Sequence, residues 1–287
     1  MKRWTLMELA KQAVEITERG AYTADCGRAV DIAAAIRNCL AATRLFTPSD
    51  LNRLREEVLA KPARPFAGTI EVVNETTLTG VARLLADSAD PLAALNFASA
   101  KNPGGGFLSG GQGQEESLAR SSALHASLLQ ASEFYERHRA SPSLLYSDAV
   151  ILSPGCPVFR NDDGVLLSKP HPVTFITSAA PNAVAAAKNR PDELPAIPEI
   201  FRRRSEYVLA VAAAHGYKRL VLGAWGCGVF GNDPAVVAAA FAGHLRGVWA
   251  GRFERIVFSV HDTSASRSTF EAFRSALAPD ARGEIAR

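Results

Sequence analysis

Gly104-Gly105-Gly106 is followed, after the seven residues Phe107 to Gly113, by Gln114-Glu115-Glu116. A backbone run without Cβ atoms can approach a ligand closely and take positive φ. The two glutamates open an amphipathic stretch, 117–130, so they fall in the first turn of a helix, where the dipole favours negative charge. Close approach beside acid/base groups predicts an enzyme. Taken alone, the same residues describe equally well a solvated loop with an acidic helix start. A second stretch narrows the choice. The apolar run 219–222 leads into Gly226, Gly228 and Gly231, spaced as GxGxxG, with Cys227, Val229 and Phe230 between them. A helix follows, with Asp233 as its expected N-cap and Pro234 at its first position. Backbone N–H groups in such a turn can cradle a pyrophosphate. A dinucleotide-binding domain normally begins with this fingerprint, but only 235–287 remain here. The position therefore favours ADP-ribose, which carries the same pyrophosphate as NAD.

Both loops need strands to aim them. The first part of the chain, to about residue 60, reads as helical: Leu6, Leu9, Ala13 and Ile16 form one apolar face and Ile32, Ile36 and Leu40 another. Thr47-Pro48-Ser49-Asp50 signals a third helix start. Lys61-Pro62-Ala63-Arg64-Pro65 breaks that pattern. Strand-like runs then appear at 69–73, 92–97, 149–152, 173–177, 219–223 and 255–260. They alternate with helical stretches near 77–86, 115–139, 201–215, 234–249 and 266–277. This alternation predicts an α/β sandwich around a largely parallel sheet. The glycine loop follows the strand at 92–97, at the carboxyl end where such sheets bind ligands. Residues 154–172 read as an ordered loop or hairpin.

The run Asn102-Pro103-Gly104-Gly105-Gly106-Phe107 followed by Gln114-Glu115-Glu116 resembles the GGG…QEE signature of the bacterial-type poly(ADP-ribose) glycohydrolases, enzymes built on a macrodomain. The 226–231 stretch is similar to that family's diphosphate loop, and Val72-Val73-Asn74-Glu75, Tyr146-Ser147-Asp148 and Ser153-Pro154-Gly155-Cys156-Pro157 also look like its pattern. The likeness spans roughly 70–262. It implies a three-layer α/β/α sandwich with a mixed, largely parallel sheet: a helical extension over 1–65 packed on a macrodomain-like catalytic domain over 66–287. By the resemblance, Glu116 is the acid/base that protonates the leaving 2′-oxygen and then activates water, while Glu115 holds hydroxyls of the terminal ribose and Gln114 helps position it. Asn102, Gly104, Gly105, Gly106 and Phe107 would line one side of the substrate. Gly226, Cys227, Gly228, Val229, Phe230 and Gly231 would line the other, with Phe230 packing on the distal ribose.

One carboxylate acting twice departs from the usual glycosidase arrangement of two carboxylates flanking the bond. Adjacent side chains on a helix diverge by roughly 100 degrees, so Glu115 and Glu116 should take different roles. A helix N-terminus favours ionised acids whereas a general acid must hold a proton, so burial and the substrate's own charge must raise the proton affinity. The competing readings are an ADP-ribose reader without catalysis and a nicotinamide-dependent oxidoreductase, the latter needing an acid such as Asp262 on a ribose.

The remaining residues bound the partners. The 287 residues carry a formal charge of +3 with dispersed basic residues, which argues against a dedicated nucleic-acid binder. Arg202-Arg203-Arg204 reads as a solvated helix face. Cys26, Cys39, Cys156 and Cys227 lack metal-ligand spacing, so no metal or other cofactor is expected and free thiols in a reducing cytoplasm are. The charged 1–20 stretch is not a signal-peptide core and no apolar run reaches membrane length. His125 falls within an apolar helix arc and reads as a packed, hydrogen-bonded histidine, while Ser117, Ser121 and Ser122 lack the elbow a serine nucleophile needs. The substrate expected is poly(ADP-ribose) or an ADP-ribosylated protein, acted on by a monomer.

Overall fold

The computed structural model describes residues 1–62 and 66–278. Ala63, Arg64 and Pro65, the heart of the expected break and domain boundary, lie outside the described residues. In chain order the elements are α1 (Arg3–Arg19), β1 (Ala21–Thr23), β2 (Ala29–Asp31), α2 (Ala33–Ala42), β3 (Arg44–Phe46), α3 (Pro48–Ala60), β4 (Thr69–Val73), α4 (Thr77–Asp87) and β5 (Leu92–Ala98). There follow α5 (Gln114–Ser121), α6 (Leu124–Leu129), α7 (Ser132–Ala140), β6 (Val150–Arg160), β7 (Leu166–Ala179), α8 (Ala183–Asn189), α9 (Ile197–Ala214), β8 (Arg219–Leu222), α10 (Pro234–Arg246), β9 (Arg255–Ser259) and α11 (Ser268–Leu277).

The sheet has the order β3-β6-β7-β5-β8-β9-β4. Strands β7, β5, β8, β9 and β4 run parallel, while β6 is antiparallel to both β7 and β3. Alternation of side chains along each strand builds a core on either face. Leu95, Ile176, Leu220, Leu222, Ile256 and Phe258 pack with α3, α9, α10 and α11. Ala94, Phe175, Val221 and Val257 pack with Val81, Leu84, Leu118 and Phe134 of α4, α5 and α7. Three layers result.

Two expectations change. The first sixty residues are not all helical, because β1 and β2 pair as a hairpin and β3 becomes an edge of the main sheet. Phe46, Leu51 and Val58 enter the central core, so this segment is built into the sandwich as well as lying upon it. The expected single helix over 115–139 is three helices. Ser122 leaves the helix to bridge Val158, and the Ser122 hydroxyl bonds back to the Leu118 carbonyl, a competition between side chain and helix that serine favours. The 154–172 stretch is the β6–β7 hairpin.

Candidate active site

Strands β5 and β8 are hydrogen-bonded neighbours, Leu92 opposite Arg219 and Ala94 opposite Val221. The glycine loop leaves the end of β5 and the GxGxxG loop leaves the end of β8, so two segments far apart in sequence come out side by side at the carboxyl edge.

In the first loop Gly104 and Gly105 take φ of 70° and 59°, which a side chain rarely adopts. Gly105 is where the carboxylates meet. A Cβ there would lie 2.9 Å from Glu116 Cδ, closer still to its Oε1, and 3.3 Å from Glu115 Oε2. Adjacent helical side chains were expected to diverge. They converge because Glu115 runs beneath the loop while Glu116 reaches along it, its Oε1 accepting the Gly106 N–H at 3.0 Å. Glu115 is buried, 2% exposed. Its Oε2 accepts the Ser99 N–H at 2.6 Å and its Oε1 accepts from Asn96 Nδ2 at 3.2 Å. Burial pushes its pKa up to about 8 against these bonds, and the nearby Glu116 carboxylate pushes the same way.

The other expected residues divide. Gln114 is spent on the scaffold: its Oε1 accepts the Phe97 N–H, and its Nε2 donates to Leu95 O and Thr77 Oγ1, which locks the start of α5 to the end of β5. Phe107 is turned inward, 1% exposed, packed with Ala10 and Ala119 and against the His125 ring at 4.7 Å. It pins the loop rather than facing a ligand. Asn102 is exposed, and its carbonyl accepts the Gly105 N–H. His125 is a packing residue whose pKa burial lowers.

In the second loop the glycines have separate tasks. A Cβ on Gly226 would lie 2.5 Å from Ala180 Cβ, and one on Gly231 2.5 Å from Val184 Cγ2, so both are needed for packing as well as for positive φ. Gly228 has nothing within 4 Å of such an atom, which leaves bare backbone facing open space. Val229 is 91% exposed and Phe230 is half-buried beside Tyr146, centroids 6.4 Å apart. Burial pushes the Cys227 thiol up to about 12. Asp233 caps α10 through the Ala235 N–H with Pro234 in the first turn.

Several further residues position the site in ways the sequence did not assign. Asn96 on β5 and Asn232 are buried, and Asn232 Nδ2 ties the Gly226 and Pro181 carbonyls together. Arg204 overturns the reading of a solvated basic face. It is 1% exposed, paired with Asp148 at 2.7 Å, and donates to the carbonyls of Leu145, Tyr146 and Ala179. It thereby holds Tyr146 at a φ of 60° beside Phe230. Arg202 keeps the solvated role, paired with Glu199. His138 Nε2 accepts the Ser147 N–H at 2.9 Å, so Nδ1 carries the proton and donates to Ala100 O at 3.1 Å. Burial drives this ring down to about 4. Asp262 accepts N–H groups of Ser264, Thr269 and Phe270 and so caps a turn and α11, a commitment that weakens it as a ribose ligand. Among the described residues no three His, Cys, Asp or Glu side chains converge as a metal site.

Fold and site together define a three-layer α/β protein that sets two carboxyl groups and a bare glycine turn side by side at the carboxyl edge of its sheet. The family described as "Microbial-type PARG, catalytic domain" matches residues 10–161. The chain is similar to the poly(ADP-ribose) glycohydrolase of Thermomonospora curvata, with 49% identity and a TM-score of 0.90 over 95% of this chain and 99% of that one. The same enzyme bound to the inhibitor ADP-HPD matches at 48% identity and a TM-score of 0.88, over 94% and 98% of the two chains. The Deinococcus radiodurans glycohydrolase in complex with ADP-ribose matches at 48% identity and a TM-score of 0.82, over 87% and 99%. No curated protein matches the chain. The chain belongs to the microbial-type poly(ADP-ribose) glycohydrolase family.

Proposed function

We propose that this macrodomain-like enzyme hydrolyses the ribose–ribose O-glycosidic bond of poly(ADP-ribose) and releases ADP-ribose, with Glu116 as the group that moves the proton. The terminal pyrophosphate lies along the Gly228 backbone with Phe230 on the distal ribose, and that ribose sits over Gly105. Glu116 gives its proton to the 2′-oxygen of the penultimate unit as the bond from that oxygen to the distal C1 breaks, which leaves an oxocarbenium-like ribose. A water then bonds to C1 and returns its proton to Glu116. Polymer shortened by one unit and free ADP-ribose result, with the enzyme unchanged.

The observation that carries this is the meeting of a buried carboxyl and a more accessible one on a single bare peptide. Glu115, at about 8, keeps its proton at neutral pH, so a proton is stored beside Glu116. The negative pyrophosphate raises the proton affinity of Glu115 further. Glu115 then serves the terminal ribose as a neutral donor. Pure recognition of ADP-ribose does not require a desolvated acid of this kind, which disfavours a reader. We further propose that the enzyme works in the cytoplasm as a monomer on polymer or ADP-ribosylated protein, a reading that its four free thiols fit; no helix among the described residues is long and apolar enough to cross a membrane.

The test is Glu116→Gln. General acid–base catalysis is worth about 10²- to 10⁴-fold, and one carboxylate here serves both steps, so release of ADP-ribose falls by at least the upper figure. Calorimetric affinity for ADP-ribose stays within about threefold, a change of roughly 0.7 kcal/mol. A variant retaining more than about a tenth of turnover removes Glu116 as the proton donor.

A further inference from the structure

We infer a second subsite, for the adenine base of the penultimate ADP-ribose unit, on the exposed apolar rim formed by Trp4 and Met7 of α1 and Leu108 of the glycine loop. This rests on the glycohydrolase reading above. In the scissile bond the oxygen is on C2 of the penultimate adenosine ribose, and the adenine is on the adjacent C1. Wherever Glu116 protonates that oxygen, the leaving unit's base must therefore come to rest within a sugar's width of it.

On one flank Glu116 is bordered by Gly111 and Gly110, and beyond them by α1. A Cβ on Gly111 would lie 3.0 Å from Glu116 Cγ, and one on Gly110 2.7 Å from Arg3 Cγ and 3.3 Å from Met7 Cγ. Arg3 Nε donates to Ser109 O at 2.9 Å, and Ala10 packs with Phe107 beneath the loop. The helix is thus fixed to the catalytic loop. On this flank Trp4 is 65% exposed, Leu108 54% and Met7 42%. Trp4 and Met7, three residues apart, share a helix face. Buried apolar residues of α1 already anchor it, so these three are free of that task. An exposed indole is a stacking platform for a base, and a thioether adapts to an aromatic edge. Lys2 and Arg3, both exposed, supply charge complementary to the polymer's next pyrophosphate. The other diphosphate cradle leaves β8, so it serves the terminal unit and not this one.

The chain has three tryptophans, and Trp225 and Trp249 are 0% and 1% exposed, so solvent-exposed indole fluorescence reports Trp4. In a Glu116→Gln background, a short poly(ADP-ribose) oligomer should quench and shift that emission while ADP-ribose alone does not. Trp4→Ala in the active enzyme should lower kcat/KM on oligomer about five- to a hundredfold, the range of base–aromatic stacking. Turnover of ADP-ribose bearing a small alkyl leaving group on the distal C1 should change far less. Trp4→Phe should restore most of the loss, and Leu108→Ala should reproduce part of it. Equal loss on both substrates shows that α1 only braces the loop, and no loss on oligomer together with no quenching removes the subsite; either result overturns the proposal. Wild-type release of ADP-ribose from polymer tests the glycohydrolase reading separately, and the fluorescence arm does not depend on turnover.

Discussion

Gly105→Ala should separate catalysis from folding most cleanly. The residue has a φ of 59°, a left-handed conformation that costs an alanine about 1–2 kcal/mol. In a chain of this size that lowers Tm by a few degrees, roughly 2–4 °C per kcal/mol. The larger consequence is steric. The added methyl would stand 2.9 Å from Glu116 Cδ and nearer still to Oε1, so the carboxylate must swing away and give up the Gly106 N–H it accepts at 3.0 Å. Glu115 cannot yield in its place, because Oε2 is held by Ser99 at 2.6 Å. A displacement of about 1 Å at a reacting group costs on the order of 10²-fold in rate, and the methyl also stands where the distal ribose must rest. Turnover of poly(ADP-ribose) should fall at least a hundredfold while the melting transition stays cooperative. Gly106→Ala is the control: its φ is negative, and its methyl meets Ser109 Oγ at 3.5 Å and Glu116 Oε1 at 3.9 Å, ordinary contacts, so it should lose much less. A folded Gly105→Ala enzyme that keeps more than a tenth of wild-type turnover would refute the convergence of both carboxylates on this peptide as the basis of the site.

Gly228→Val should leave stability unchanged, since a Cβ there meets open space, yet weaken ADP-ribose binding by at least about tenfold, or 1.4 kcal/mol; unchanged affinity by calorimetry would make the loop purely structural. Glu115 keeps, up to about pH 8, a proton that an ordinary carboxyl releases near 4.5. Its contribution therefore makes the fold less stable as pH rises through that window, and Glu115→Gln should gain stability over wild type between pH 5.5 and 8, by a few kcal/mol at most on the order given by about 1.36 kcal/mol per unit. A Tm difference that does not grow with pH contradicts this. His138 refuses a proton between 6.5 and about 4, so stability is lost as pH falls through that range. His138→Gln, which can still donate to Ala100 O and accept from Ser147, should flatten that acid limb; an unchanged limb assigns it to other groups.

The sequence alone located the two glycine loops and the adjacent carboxyl groups. Glycines, caps and acids are local signals: the Thr47 start signal, Asp233 with Pro234 and the strands expected at 69–73 and 255–260 appear where the pattern places them, the last ending at Ser259, because each depends on neighbours a few residues away. Strand β3 escaped because three residues carry too little periodicity to distinguish an edge strand from a helix connection. The 115–139 run kept a helical pattern through breaks imposed by the bridge from Ser122 to Val158. Only the tertiary structure decided which groups are dry. The pairing of β5 with β8 brings the two loops together across more than a hundred residues, and the burial of Glu115, acting against its bonds from Asn96 and Ser99, gives it a proton affinity no spacing predicts. Arg204 shows the same limit: three consecutive arginines look alike in sequence, but the helix turns one into the core against Asp148 and leaves another in solvent. Burial of a charge is set by what the rest of the chain folds over it, and that information is spread across elements whose contacts the local pattern does not contain.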